Sequence, residues 1–285
     1  VDYTEDMRCS DEILQRVTDA YRKFRNTLRY GLGNLHGFNP ATEGVSYESL
    51  LEIDKWALAS LSEITEKVLN CYERYDFQGA YQALYGFVTV TLSARYFDII
   101  KDRLYIYAPS SVERRSAQTA LYQITDGLCR LLSPILVFTA DEAFENLPAP
   151  AAESVHLAEF PKRSGVIDSS LLESWERMFE IRDEVLKALE DARNSKLIGS
   201  ALEAKVTLSA DTNTLEFLKR YSSELRYIFI VSQVSLEAAD RLTIKIDRAE
   251  GEKCERCWNY STHLGELADH PGVCERCADA LKKIG

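Results

Sequence analysis

Four cysteines near the end of the chain carry its clearest chemistry. Cys254-Glu-Arg-Cys257 and Cys274-Glu-Arg-Cys277 are two Cys-x-x-Cys turns with 16 residues between them. Each turn holds two sulfurs at adjacent corners of a tetrahedron. A second turn, returned by a short loop, fills the other two corners. Thiolates in that geometry select zinc, and four protein ligands close the site, so the spacing predicts one structural Zn2+ with no position open to water. Two disulfides would need an oxidising context, and a redox pair would need a thioredoxin-like βαβ unit. An iron–sulfur cluster is a smaller alternative. His263 and His270 lie in the intervening loop. Either can replace a thiolate, but the simpler reading makes them surface histidines.

A second pattern is basic. Arg22, Lys23, Arg25 and Arg29 cluster with Asn26 in a helical stretch. At 100° per residue Arg22, Arg25 and Arg29 share one flank beside the apolar face. Two readings are open. The stripe can contact phosphates while Asn26 reads a base edge, or it is a solvated face paired with nearby carboxylates. The third pattern follows the second cysteine, with Arg256 before it and Trp258 and Tyr260 after it. An aromatic ring on a rigid turn beside an arginine can stack an unpaired base. Equally, Trp258 can pack under the turn as part of a minimal core. No catalytic residues are assigned. Gly31-Leu-Gly33 lacks the preceding strand of a phosphate loop, and neither Gly-x-Ser-x-Gly nor His-Glu-x-x-His occurs.

The elements that must position these residues are mostly helical. Ile13, Leu14, Val17, Tyr21, Phe24, Leu28, Leu32 and Leu35 recur at spacings of three and four, predicting a helix over about 10–36 with Ser10 as its N-cap. Further helices are expected over about 47–75 and 76–104. A fourth is capped by Ser110 and Glu113 and ends before Pro134, and a short fifth is capped by Thr139 and Glu142. Short loops favour an antiparallel bundle. Leu147-Pro-Ala-Pro-Ala-Ala152 breaks the pattern, and about twenty loop-like residues follow. A sixth helix is expected over about 170–194. Strands are expected over 202–209, 227–236 and 242–246, with a short helix near 215–225. The expected fold class is therefore mainly α: an antiparallel α-helical bundle (1–147), a linker, helix and small α+β junction module (148–250), and a four-cysteine zinc-knuckle domain (251–285). That last part is too short for an apolar core of its own.

The chain has 285 residues, 46% hydrophobic and 28% charged, which is ordinary globular composition. Its net charge of −11 argues against a generally sticky nucleic-acid binder, without excluding a local basic stripe. No apolar run is long enough for a membrane helix, so no membrane partner is expected. Val1-Asp-Tyr-Thr-Glu5 has neither the basic nor the apolar region of a signal peptide and reads as a cut inside a longer protein. Seven cysteines without a secretory signal point to a reducing, cytoplasmic compartment, and the isolated Cys9, Cys71 and Cys129 read as buried free thiols.

The runs Ser10-Asp-Glu-Ile-Leu14 and Tyr21-Arg-Lys-Phe-Arg-Asn-Thr-Leu-Arg29 resemble the start of the anticodon-binding helical domain of bacterial isoleucyl-tRNA synthetases. Asp98-Ile-Ile-Lys-Asp-Arg-Leu-Tyr105, Arg114-Arg-Ser-Ala-Gln-Thr119, Ser133-Pro-Ile-Leu136 and Thr139-Ala-Asp-Glu142 fit the same domain. His156-Leu-Ala-Glu-Phe-Pro161 and Gly199-Ser-Ala-Leu-Glu-Ala-Lys-Val206 are similar to its downstream region. Gly251-Glu-Lys-Cys-Glu-Arg-Cys-Trp-Asn-Tyr260 is similar to the family's C-terminal zinc domain. The resemblance runs from end to end. It implies the tRNA-holding part of a class I, ATP-dependent isoleucine–tRNA ligase, with tRNA(Ile) as partner and a monomeric state. The family's His-Ile-Gly-His and Lys-Met-Ser-Lys-Ser signatures do not occur, and its editing domain is missing. Aminoacylation, ATP and Mg2+ therefore belong to catalytic and editing domains outside this chain. Arg256 and Trp258 match the positions by which the family's zinc module approaches the anticodon, so the resemblance implies stacking by Trp258; for Arg22, Arg25, Asn26 and Arg29 it implies either contact with RNA or packing of the helix against the rest of the enzyme. The alternative of a different class is a zinc-containing helical adaptor that binds protein and has no affinity for tRNA.

Overall fold

A computed structural model describes residues 3, 6, 9–162, 168–266 and 269–284. The loop expected after residue 150 is described except for 163–167, which lie outside the described residues. The helices are α1 (Asp11–Asn34), α2 (Pro40–Glu43), α3 (Glu52–Glu73), α4 (Phe77–Gly86), α5 (Asp98–Ile106), α6 (Val112–Leu132), α7 (Val137–Glu145), α8 (Ser169–Asn194), α9 (Thr212–Arg220), α10 (Leu225–Phe229) and α11 (Glu275–Ile284). Between α4 and α5 the chain is π-helical over Phe87–Phe97. The widened turn coincides with the β-branched run Val88-Thr-Val-Thr91, which crowds an ordinary α turn. The Ser93 hydroxyl donates to the Val88 carbonyl at 2.8 Å, one residue further back than in an α-helix.

The chain forms two compact units. One comprises residues 1–98 and 111–172, the other 99–110 and 173–285. In the first unit α3 packs on α4 and α6, and α1 packs on α6 and α7. Phe24, Leu28, Leu35, Leu84, Leu92, Leu121, Ile124 and Phe144 form its buried core. Among the described residues, one carboxylate is built into that core. Asp54 is fully buried and accepts hydrogen bonds from the Tyr96 hydroxyl at 2.7 Å and from the Ser116 hydroxyl. Burying a carboxylate is tolerable only when it is paired in this way.

In the second unit a three-stranded sheet, ordered β2-β1-β3, combines β1 (Ala204–Ala210), β2 (Gln233–Ala238) and β3 (Thr243–Arg248). β1 is parallel to β2 and antiparallel to β3. Its central place explains its burial: Ala204, Val206, Leu208 and Ala210 are all inaccessible. Trp175 and Phe179 of α8 and Tyr221 after α9 make a buried aromatic group. A small two-stranded sheet pairs β4 (Glu252–Lys253) with β5 (Tyr260–Ser261).

Several expected details are corrected. Ser111, not Ser110, caps α6, its hydroxyl accepting from the Arg114 amide. Thr139 caps nothing: α7 has already begun at Val137, and the Thr139 hydroxyl instead meets that of Tyr21 at 3.1 Å. The helix expected from 47 begins at Glu52, after a 3-10 turn at Tyr47–Ser49. The strand expected over 227–236 is half helix, because α10 runs to Phe229 and Ile230 turns left-handed at φ 58°. Ile13, Leu14 and Val17 keep the apolar spacing of α1 yet are exposed. Cys9 is exposed too, whereas Cys71 and Cys129 are buried as expected. Burial pushes the Cys129 thiol up to about 12, which keeps it unreactive.

Candidate metal centre and nucleic-acid interface

The chain brings the four C-terminal cysteines together from local geometry. In the first turn the Cys254 amide donates to the Asn259 carbonyl and the Trp258 amide to the Cys254 carbonyl, both at 2.9 Å. The second turn opens α11: Glu275 follows Cys274 directly and Cys277 lies in the helix's first turn, where the free amides favour negative charge. The Cys274 amide also points at the Cys254 sulfur at 3.2 Å, joining the two turns.

All four residues are buried, and their sulfurs lie within 4.8 Å of one another. The Cys257 and Cys274 sulfurs are 3.6 Å apart. A tetrahedral site with zinc–sulfur bonds of about 2.3 Å requires sulfur separations of about 3.8 Å, so the cluster fits zinc. The thiols cannot all ionise unaided. The contact with Cys257 is the largest cause pushing Cys274 up to about 11, and neighbouring sulfurs push Cys277 up as well. A central dication removes that obstacle. No histidine joins the cluster among the described residues. His263 instead sits 2.9 Å from Glu266, which raises its pKa through a hydrogen bond.

The two residues flanking Cys257 have different surroundings. Arg256 is half-buried and its Nη1 donates to the Ile106 carbonyl at 2.7 Å. Trp258 is 60% exposed. Its φ of 63° is left-handed, which costs a bulky residue about 1–2 kcal/mol. The Lys253 ammonium lies 5.1 Å from the centre of its ring. The indole is thus an open aromatic platform with a cation beside it, not the floor of the metal loop. The sulfurs are packed instead by Ile106, Leu264 and Val273.

In the first unit the α1 stripe divides. Arg22 is taken up locally by Asp19 at 2.9 Å. Arg25, Asn26 and Arg29 are exposed, and no described residue pairs with them. Arg25 and Arg29 line an open cleft of about 640 Å³ together with His36, Thr139, Glu142 and Asn146. The cleft offers two guanidinium groups from α1 facing solvent, with Thr139, Asn146 and the Glu142 carboxylate also in its lining, so any phosphate contact would come from the arginines.

Sequence reasoning missed Arg276, Asp102, Tyr107 and Tyr227. Arg276 holds Asp102 with both guanidinium nitrogens, and its Nη2–Oδ1 distance is 3.3 Å. It also lies over the rings of Tyr107 and Tyr227 at 5.6 and 5.4 Å. Burial opposes its charge, but Asp102 more than compensates. The signal was present, since Arg276 occupies in the second Cys-Glu-Arg-Cys turn the place that Arg256 occupies in the first.

Comparisons with known proteins agree with this geometry. Residues 251–280 match the family described as "Zinc finger found in FPG and IleRS". With the four-cysteine cluster this supports a structural zinc. The chain is 48% identical over 292 residues to the isoleucine–tRNA ligase of Syntrophotalea carbinolica, covering 98% of this chain and 32% of that protein. It is 47% identical over 303 residues to that of Symbiobacterium thermophilum, covering 99% and 32%. For the enzyme of Geobacter sulfurreducens the identity is 46% over 293 residues, with coverage of 99% and 32%. The chain therefore spans about a third of the length of these relatives. Residues 54–208, more than half of the chain, match the model of the anticodon-binding domain of tRNA ligases, and the chain belongs to that family.

Proposed function

We propose that this chain is the tRNA-gripping region of an isoleucine–tRNA ligase. It holds the anticodon stem and loop of tRNA(Ile) while a catalytic domain elsewhere in the polypeptide, with ATP and Mg2+, performs aminoacylation. Working division is by segment: 1–147 for the stem-and-loop contact, 148–250 as the junction, 251–285 as the zinc-bearing tip. Cys254, Cys257, Cys274 and Cys277 are the zinc ligands in this reading, and the metal's contribution is to fix the two turns. Trp258 stacks an unpaired base, and Arg256 offers the guanidinium edge that Ile106 does not use. Arg25 and Arg29 contact phosphates, with Asn26 beside them, and Arg22 contributes less because Asp19 already neutralises it. The protein acts as a monomer in the cytoplasm.

The observation that most supports this reading is Trp258, a large ring held open to solvent in a costly backbone conformation immediately after a cluster cysteine. Net acidity is no obstacle, because phosphate contact is local. The reading is tested by a gel shift of the zinc-loaded chain with purified isoleucine tRNA, with and without excess non-cognate tRNA. A complex that resists the competitor is expected, and no complex refutes the reading. The adaptor reading draws on a different observation. An apolar cavity of about 490 Å³ is lined by Val17, Phe24, Phe77 and Leu136, and the same unit exposes the Leu14 and Phe138 side chains. A chain that shifts no RNA would favour it.

A further inference from the structure

The two cysteine turns share the sequence Cys-Glu-Arg-Cys, and the arginine of each reaches the same short stretch of the second unit. Arg256 donates to the carbonyl of Ile106, the last residue of α5, at 2.7 Å. That carbonyl has no partner within its own helix. Arg276 grips Asp102, which lies four residues earlier and therefore on the same face of α5. Its guanidinium also covers Tyr107, whose hydroxyl is 3.0 Å from that of Tyr227. The Ile106 side chain packs against the cysteines themselves. Asp102 and Ile106 are thus held by two arginines, each directly beside a cluster cysteine in sequence, while Tyr107 is shared between Arg276 and Tyr227.

The dependence follows from what else holds the tip. Among the described residues of 251–284, the buried apolar side chains besides the cysteines are only Ala278 and Ala280, and a segment of that size does not keep its shape without a staple. Zinc with four thiolates also carries net negative charge, which two arginines beside it offset. Remove the metal and both arginines lose their anchored base. The end of α5 then loses the donor to its last carbonyl and the partner of its carboxylate. We propose that Arg256 and Arg276 form a paired latch through which metal binding at the four cysteines orders the segment Asp102–Tyr107. The proposal rests on the zinc reading above.

Hydrogen exchange on the 285-residue chain tests it, with zinc measured in every sample. The parent chain is compared zinc-loaded and after chelation under reducing conditions, with α3 as internal reference. Chelation is expected to speed exchange of the amides of 104–108 at least tenfold while α3 stays as it was. Arg276→Gln and Asp102→Asn should still bind one zinc, show faster exchange of 104–108 with zinc present, and gain much less on chelation. Asp102→Asn leaves the metal-binding turns untouched and guards against an Arg276→Gln chain that fails to fold. A merely destabilising change would speed exchange in both states and preserve the difference between them. Unchanged exchange of 104–108 in a parent chain proven free of zinc overturns the latch and leaves the zinc reading intact. The latch is also overturned by variants whose response to chelation equals the parent's. A freshly reduced parent chain with no zinc overturns both, and the metal measurement alone reveals it.

Discussion

The helical unit and the zinc-bearing tip solve the same problem by opposite means. In the helical unit, burial of Phe144, Tyr96, Leu92, Ile124 and their neighbours supplies the driving force, and even the polar Asp54 is absorbed into a satisfied network. In the tip, the four buried cysteines form the core cluster, packed by three partly buried apolar residues, and the other buried side chains described there are only the small Ala278 and Ala280. The first arrangement spreads stability over many contacts, each replaceable at moderate cost. The second concentrates it in one centre and leaves the remaining side chains free to face outward. Trp258 shows what that freedom permits: a ring that a core-dependent module would bury is available to a ligand.

The largest effect expected from this contrast is metal removal. Structural zinc contributes on the order of 10 kcal/mol to modules of this kind. Chelation, or Cys277→Ser, should abolish the fold of 251–284 and leave the helical circular dichroism nearly unchanged. Loss of both together would erase the distinction between the regions. The converse is Phe144→Ala, a truncation of a fully buried side chain that should cost the helical unit about 3–5 kcal/mol. Zinc stoichiometry should be unaffected, as metal analysis beside a urea melt would show. Gly251→Ala is smaller but aimed at the tip. Gly251 has φ +86°, and an added Cβ would stand 2.2 Å from the Ser261 carbonyl oxygen. The left-handed backbone alone costs about 1–2 kcal/mol, and the collision must also be relieved, so weaker zinc retention against a competing chelator is expected. The smallest effects belong to α1. Arg25→Ala and Arg29→Ala should each flatten the salt dependence of RNA binding by about one unit of slope, for cognate and non-cognate RNA alike. Arg22→Ala should change it less, because Asp19 already holds that charge.

What was legible in the sequence was what short-range geometry decides. Two Cys-x-x-Cys turns imply a tetrahedral site wherever the loop between them goes, and Ser10 followed by acidic residues and an apolar stripe places the start of α1 correctly. Capping patterns were less reliable because they repeat in more than one register. Ser110 and Ser111 stand side by side, and Thr139-x-x-Glu142 recurs inside a helix that has already started. The run Tyr227-Ile-Phe-Ile-Val231 has strand composition, but its packing makes a helical turn ending in left-handed Ile230. Periodicity identified the apolar face of α1 without telling whether anything covers Ile13, Leu14 and Val17. The Arg276–Asp102 pair spans 174 residues and is visible only once the chain has folded.

The central claim is that the zinc-bearing tip presents an RNA platform, and Trp258→Ala tests it most directly. Fluorescence anisotropy with a labelled anticodon stem-loop of tRNA(Ile) gives the affinity of parent and variant across a series of salt concentrations. Zinc content and circular dichroism are checked in both. A stacked base is worth about 1–3 kcal/mol, so binding should weaken roughly 5- to 150-fold with the salt slope nearly unchanged, since stacking releases few counterions. A variant that keeps its zinc, its fold and its full affinity would contradict the account.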